Sequence, residues 1–283
     1  MEPRTKKIVS FFLITRGLYM FVFIPILHYS FTRYNLPIDE SKHWFDKWLD
    51  FLSPWDGRHF AEIIDNGYVY ERQHVFFPLF PKIVSAVSYA VPEVPCILWG
   101  IVLSNLLSLA TCYQMHELTR MLFNNERFAD YSTLFFTLNV CTRFYLSLYT
   151  ESTYTYLQML VLFLIFYHKD HSFERVSTRR LVAAFLLVAV NISCRSNALL
   201  LWFVPGYVIL LRFIRSLYAR KYANSWAWLI FGITAILTLL SVLYILTGYM
   251  PYQIYWSGDD MPEWWNSAIP NLYSYVRFQS VMF

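Results

Sequence analysis

The run WAWLIFGITAILTLLSVLYILT, residues 226–247, contains no Asp, Glu, Lys or Arg. Wound as an α-helix rising about 1.5 Å per residue, it covers roughly 30 Å, the thickness of a bilayer's hydrocarbon core. Comparable apolar runs lie at 9–29, 97–114, 131–148, 152–168, 181–197 and 199–214, the last two readable as two spans or as one kinked passage. Of the 283 residues, 57% are hydrophobic and 15% charged, against about 25% charged in a soluble domain. Aromatic residues make up 20%, enough to furnish belts at both membrane interfaces. These features predict an all-α polytopic membrane protein with about seven transmembrane helices. Residues 1–283 read as a single membrane domain, with one large loop over 30–96 and another over 248–283. No repeat of obvious length suggests an inverted-repeat transporter.

Phe76–Val91 decides the topology. It is apolar but short, and interrupted by Pro78, Pro81 and Lys82. If it crosses the membrane, Arg120 and Arg127 fall opposite Arg4, Lys6 and Lys7. If it lies along the surface, every basic cluster falls on the side of the N-terminus, including Lys169, Arg175, Arg179, Arg180, Arg212, Arg215, Arg220 and Lys221. The positive-inside rule makes that side cytoplasmic and favours the surface helix. The loop 30–96, the turns at 149–152 and 195–197 and the tail after Leu246 then share the opposite face.

The charge of +4 carries no free basic arm and does not point to nucleic acid. Cys96, Cys112, Cys141 and Cys194 all lie in or beside apolar runs, as buried free thiols do, and no Cys/His pattern has zinc spacing. The ionisable groups concentrate instead in SPWDGRHFAEIIDNGY, residues 53–68. An interfacial helix, with Phe45, Trp48, Leu49, Phe51 and Leu52 among Asp46, Lys47 and Asp50, is predicted to end at Pro54. Trp55 suits the headgroup level. Asp56 then stands at the water–lipid boundary, Gly57 permits a tight backbone, and Phe60, Ile63 and Ile64 share one helical face. A partly desolvated carboxylate at that depth suits a general base acting on a sugar hydroxyl; as a purely structural group, Asp56 would cap the helix that follows. Arg58 and His59 are candidate phosphate contacts or solvated loop charges. Glu151 follows a span junction, where a helix N-terminus favours a carboxylate. Arg195, beside Asn197 in an apolar passage, must pair or reach the interface. Arg16, inside the first span, must do likewise. The sequon Asn191-Ile192-Ser193 lies within a span and is expected to stay unmodified.

These residues resemble the signature of the PIG-V family of mannosyltransferases. The matching positions are Trp55, Asp56, His59, Phe60, Gly67, Tyr68, Glu71, Phe76, Phe77, Pro78, Phe80 and Pro81. The family's Tyr-Ser-Glu is matched by Tyr149-Thr150-Glu151, and its Arg-Ser-Asn-Gly by Arg195-Ser196-Asn197-Ala198. A later Pro-Trp…Pro…Tyr-Ser-Tyr segment is matched by Pro262, Trp264 or Trp265, Pro270 and Tyr273-Ser274-Tyr275. The resemblance implies a GT-C type fold in the endoplasmic reticulum membrane, with an active site on the luminal face. It implies transfer of mannose from dolichyl phosphate mannose to a GPI-anchor precursor, as the second, α1,6-linked mannose. The donor is β-linked, so the implied reaction inverts and needs one base, for which Asp56 stands at the matching position, with Glu71 and Glu151 as the other candidates. Trp55, His59, Glu71, Glu151, Arg195 and Asn197 are the implied substrate-binding residues. Dolichyl phosphate is a good leaving group, so the chemistry does not oblige a metal, and no cofactor is assigned beyond the donor. Expected partners are the lipid-linked donor and acceptor, membrane lipids and a small membrane subunit. Family members continue beyond the Tyr-Ser-Tyr segment, which implies that Phe283 falls short of their usual end. The competing readings are another dolichol-dependent mannosyltransferase, an inactive truncated form or scaffold, and a multi-pass lipid transporter or scramblase. The last predicts ionisable residues buried at mid-membrane depth in broken helices.

Overall fold

The computed structural model describes residues 3–23, 26, 52–53, 56–68, 71–139, 141–167 and 176–249. Its elements are helices, with no strand among the described residues. They are α1 (Pro3–Leu18), α2 (Asp56–Asn66), α3 (Leu79–Ala90), α4 (Cys96–Phe123), α5 (Glu126–Thr137), α6 (Thr142–Leu146), α7 (Glu151–Phe166), α8 (Thr178–Ile192), α9 (Phe203–Tyr218) and α10 (Tyr222–Tyr244). Among the described residues, three stretches are long and apolar enough to cross a membrane: Cys96–Phe123, Ser196–Tyr218 and Tyr222–Thr247. The expected all-α membrane architecture is therefore the one adopted. α3 and α7 are apolar but shorter; the 12 residues of α3 reach only about 18 Å.

Two expected spans change shape. The run 131–148 is not one helix: α5 ends at Thr137 and the short α6 begins at Thr142. Between them the Asn139 side chain accepts a hydrogen bond from Cys141 N–H at 2.9 Å, and the Thr142 hydroxyl donates to Thr137 O at 3.0 Å. Such local side-chain bonds offer the backbone an alternative to the helix. This break also leaves Cys141 exposed, whereas Cys96, Cys112 and Cys194 are buried and free as expected. The 181–214 region resolves into two helices, of which only the stretch Ser196–Tyr218 is long and apolar enough to cross a membrane. α8 stops at Ile192, and after a turn a 3-10 segment, Ser196–Trp202, leads directly into α9.

The described parts of the chain form two compact units, residues 1–65 with 80–159, and residues 66–79 with 160–283. In the first unit α1 packs against α4 and α5, with Ile8, Phe12 and Cys112 at the contact. A second cluster joins Leu52, Ile101 and Leu146. An asparagine pair makes the α4–α5 hairpin. Asn124 takes the left-handed conformation (φ 47°) that ends α4. The side chain of Asn125 accepts Phe128 N–H at 3.1 Å and caps α5. Arg16 is 6% exposed and is paired rather than reaching for the interface. Its guanidinium donates to the Ser108 hydroxyl and to Thr142 O, and lies 4.7 Å from the Phe12 ring centroid.

The far end of α4 carries an ion-pair network. Arg4 Nη1 meets Glu117 at 2.7 Å and its Nε meets Glu126 at 3.1 Å. Arg120 meets Glu117 at 2.8 Å, His116 meets Asp130 at 3.2 Å, and Lys7 pairs with Asp130. Arg4 and Arg120 share one carboxylate and so lie at the same end of the unit.

In the second unit, α9 ends with Arg220 in the left-handed region (φ 53°). Lys221 N–H donates back to Ser216 O at 2.9 Å, and the Ser216 and Ser225 hydroxyls are 2.7 Å apart across the hairpin. Arg212 lies 4.7 Å from the Trp228 ring and donates to Val176 O. Along α10, Trp226, Ile230, Ile233, Leu237, Leu240 and Tyr244 are exposed. That stripe, stepping by three and four residues, suits a lipid environment.

Candidate active site

α2 forms because Phe60, Ile63 and Ile64 bury one face while Asp56, Arg58 and Asp65 stay exposed, as the spacing predicted. Asp56 opens this helix in its first turn, where the dipole favours a carboxylate. Its side chain is exposed, so protein packing does not supply the desolvation expected from the sequence. His59 is half-buried and lies 3.9 Å from Glu62. Phe60 is 3% exposed and meets Phe80 and Tyr149 edge-on, with centroids 5.7 and 6.3 Å apart.

The partner surface is the turn Ser147-Leu148-Tyr149-Thr150, every residue of which is buried. Ser147 donates its hydroxyl to Arg143 O at 2.7 Å, Tyr149 N–H donates to Ser147 O at 2.8 Å, and the Ser152 hydroxyl donates to Tyr145 O at 3.1 Å. Asn105 of α4 reaches Leu146 O at 3.2 Å, tying the turn to the long helix. Two glycines let the chains close. A Cβ at Gly57 would lie 3.1 Å from Ser53 Cβ, 3.3 Å from Tyr149 Cε2 and 3.5 Å from Leu148 O. A Cβ at Gly100 would run into Leu148 Cδ1. Immediately after the turn, half-buried Glu151 opens α7.

Tyr149 faces a charged neighbourhood. Burial first, then the Asp56 carboxylate, pushes its phenol up to about 12, with Glu151 adding in the same direction. Gly57 N–H, donating to the phenol oxygen, and Arg143 act the other way. Of the residues expected at the site, the first unit therefore holds Asp56, His59 and Glu151, with Tyr149 linking Asp56 and Glu151 electrostatically. Tyr149 was legible as a motif residue but not as the neighbour of Asp56, and Arg143 had no local signal.

The second unit holds the rest. Glu71 opens the 3-10 turn Glu71–Val75. Arg195 is extended (φ −155°, ψ 138°) just before the 3-10 segment and half-buried, while Asn197 is exposed. Leu79 N–H donates to Ser193 O at 2.9 Å, which fastens the Phe-Phe-Pro segment to the turn that presents Arg195. Within this segment Gly67 has φ 75°, Tyr68 donates to Phe76 O at 2.6 Å, and its ring stacks on His74 at 4.6 Å. Burial lowers His74 to about 4, so it is neutral near pH 7. Asn191 of the sequon is fully buried. Trp55, the interfacial helix of 45–52 apart from Leu52, and the Pro-Trp…Tyr-Ser-Tyr segment at 262–275 lie outside the described residues. Away from this region, His116, Glu126 and Asp130 place ligand-type atoms within 4.8 Å of one another. The two carboxylates there are already engaged by Arg4 and Lys7.

Long apolar helices with ionisable residues presented on their connecting turns define a polytopic α-helical membrane protein whose candidate chemistry sits at helix ends. The family profile described as Mannosyltransferase (PIG-V) matches residues 7–282, and the chain belongs to that family. GPI mannosyltransferase 2 of Drosophila melanogaster is 29% identical over 188 residues, covering 62% of this chain and 40% of that protein. GPI mannosyltransferase 2 of Yarrowia lipolytica is 25% identical over 232 residues, covering 82% and 58%. GPI alpha-1,6-mannosyltransferase 2 of Cricetulus griseus is 27% identical over 159 residues, covering 53% and 30%. The matched part of the chain covers only 30–58% of these relatives' own length. No solved structure matches it.

Proposed function

We propose that the chain transfers mannose from dolichyl phosphate mannose to a GPI-anchor precursor, adding the second, α1,6-linked mannose at the luminal face of the endoplasmic reticulum. The observation that carries this reading is the family match over residues 7–282, joined to the placement of Asp56 at an exposed helix start whose Gly57 lies against the buried Ser147–Thr150 turn. The acceptor hydroxyl gives its proton to the Asp56 carboxylate as its oxygen bonds to the anomeric carbon. The bond from that carbon to the phosphate oxygen breaks, and dolichyl phosphate leaves with the electron pair. One displacement inverts the β-linked donor to an α product. His59 and Arg195 are the candidate phosphate contacts, and Glu71, Glu151, Asn197 and Trp55 the candidate sugar contacts. The shared carboxylate of Arg4 and Arg120 supports the topology in which Phe76–Val91 does not cross and the basic ends are cytoplasmic.

The test is surface display of GPI-anchored proteins in cells lacking the second GPI mannosyltransferase. Expression of this chain is expected to restore display, and Asp56→Ala at equal abundance is expected not to. Full rescue by Asp56→Ala would remove the base from Asp56. No rescue by either would overturn the activity for these 283 residues. Use of an engineered glycosylation acceptor near Asp39 checks the luminal loop.

A further inference from the structure

We propose that Tyr149 is a positioning residue for this reaction, its phenol oxygen accepting the Gly57 N–H so that the first turn of α2 holds the Asp56 carboxylate in place. The inference rests on the reading of Asp56 as the base. Its geometry is independent of that reading. Tyr149 is 4% exposed, with its ring fixed edge-on between Phe60 at 6.3 Å and Phe144 at 5.0 Å. The approach to α2 is close enough that even a methyl at Gly57 would crowd Tyr149 Cε2 at 3.3 Å.

Gly57 N–H belongs to the first helical turn, where amides have no acceptor within the helix. The phenol oxygen takes the place that a Ser or Asn side chain fills at an ordinary N-cap. It reaches α2 from a turn more than ninety residues further along the chain. Burial together with the Asp56 and Glu151 charges keeps the phenol protonated. The bond from the Gly57 amide to the phenol oxygen fixes the first turn of α2 and with it the place of Asp56.

Tyr149→Phe keeps the ring packing and deletes only the hydroxyl. In membranes containing the full chain, assayed with dolichyl phosphate mannose and a GPI precursor, kcat is expected to fall about tenfold, within what a positioned proton acceptor contributes. KM for the donor should change less than about twofold, so that the loss falls on kcat. Amide exchange in the peptide holding Gly57 should quicken about fivefold, the order expected for loss of one hydrogen bond, while peptides of α4 stay unchanged. Unchanged exchange at α2 overturns the contact. Faster exchange with unaltered kcat overturns the positioning role. If the unsubstituted chain transfers no mannose, the functional reading fails by itself, and the exchange measurement still decides the contact.

Discussion

The two ends of the first unit treat charge in opposite ways. At the α4–α5 end, Arg4, Lys7 and Arg120 are matched by Glu117, Glu126 and Asp130, with His116 among them. Acids and bases there neutralise one another and fasten α1 to the hairpin. At the Asp56 end the packing is aromatic, through Phe60, Phe80, Phe144 and Tyr149. Asp56 stands exposed and makes no ion pair among the described residues. Cys96 beside Asp65 marks one end of α4 and Glu117 the other, roughly thirty ångströms apart along a helix. Counting charges alone would rank the first end as the active one. Asking which charges are already matched picks the second.

Exchanging the two ends in an assay is the strongest challenge to that distinction. Asp56→Asn is expected to lower transfer by about a hundredfold or more with no loss of folded protein. Glu117→Ala is expected to do the reverse. Its side chain is 8% exposed and serves two arginines, so its loss should cost about 2–3 kcal/mol, seen as earlier thermal unfolding in detergent. Transfer per folded molecule should stay within about twofold, the range of a surface-distant change. A folded but inactive Glu117→Ala protein would erase the distinction.

A titration in the second unit sharpens it. His74 lies below its ordinary value through burial, so folding favours the neutral ring. The associated stability is complete above about pH 6.5 and declines as pH falls towards 4. Amide exchange over residues 66–79 should therefore quicken in that window, and His74→Phe should flatten the dependence. The smallest effect expected is at a cap: Asn125→Ala should destabilise α5 by about 1 kcal/mol without altering transfer.

Local chemistry was readable before the structure. The amphipathic face of α2 and the membrane-length apolar helices follow from residue type and spacing. The break at Asn139 was hidden because hydropathy averages over a residue whose side chain competes for backbone donors. Tyr149 against Gly57, and Lys7 against Asp130, join residues about a hundred positions apart. Such pairs leave no trace in a local pattern. The family signature brought Asp56 and Glu151 into one list, but the buried turn between Arg143 and Glu151 that joins them is a matter of packing.

Arg16 carries a consequence for how the protein is made. Its hydrogen-bond partners Ser108 and Thr142 lie 92 and 126 residues downstream. At about 5–20 residues per second of synthesis, α1 leaves the ribosome several seconds, up to some tens of seconds, before either partner exists. During that interval the ring of Phe12, one turn earlier on the same helix, is available to shelter the guanidinium by a cation–π contact. The first helix must therefore wait at the membrane, half-satisfied, for α4 and α6 to arrive, whereas α10 carries no charge that needs a partner and can enter lipid as soon as it is translated.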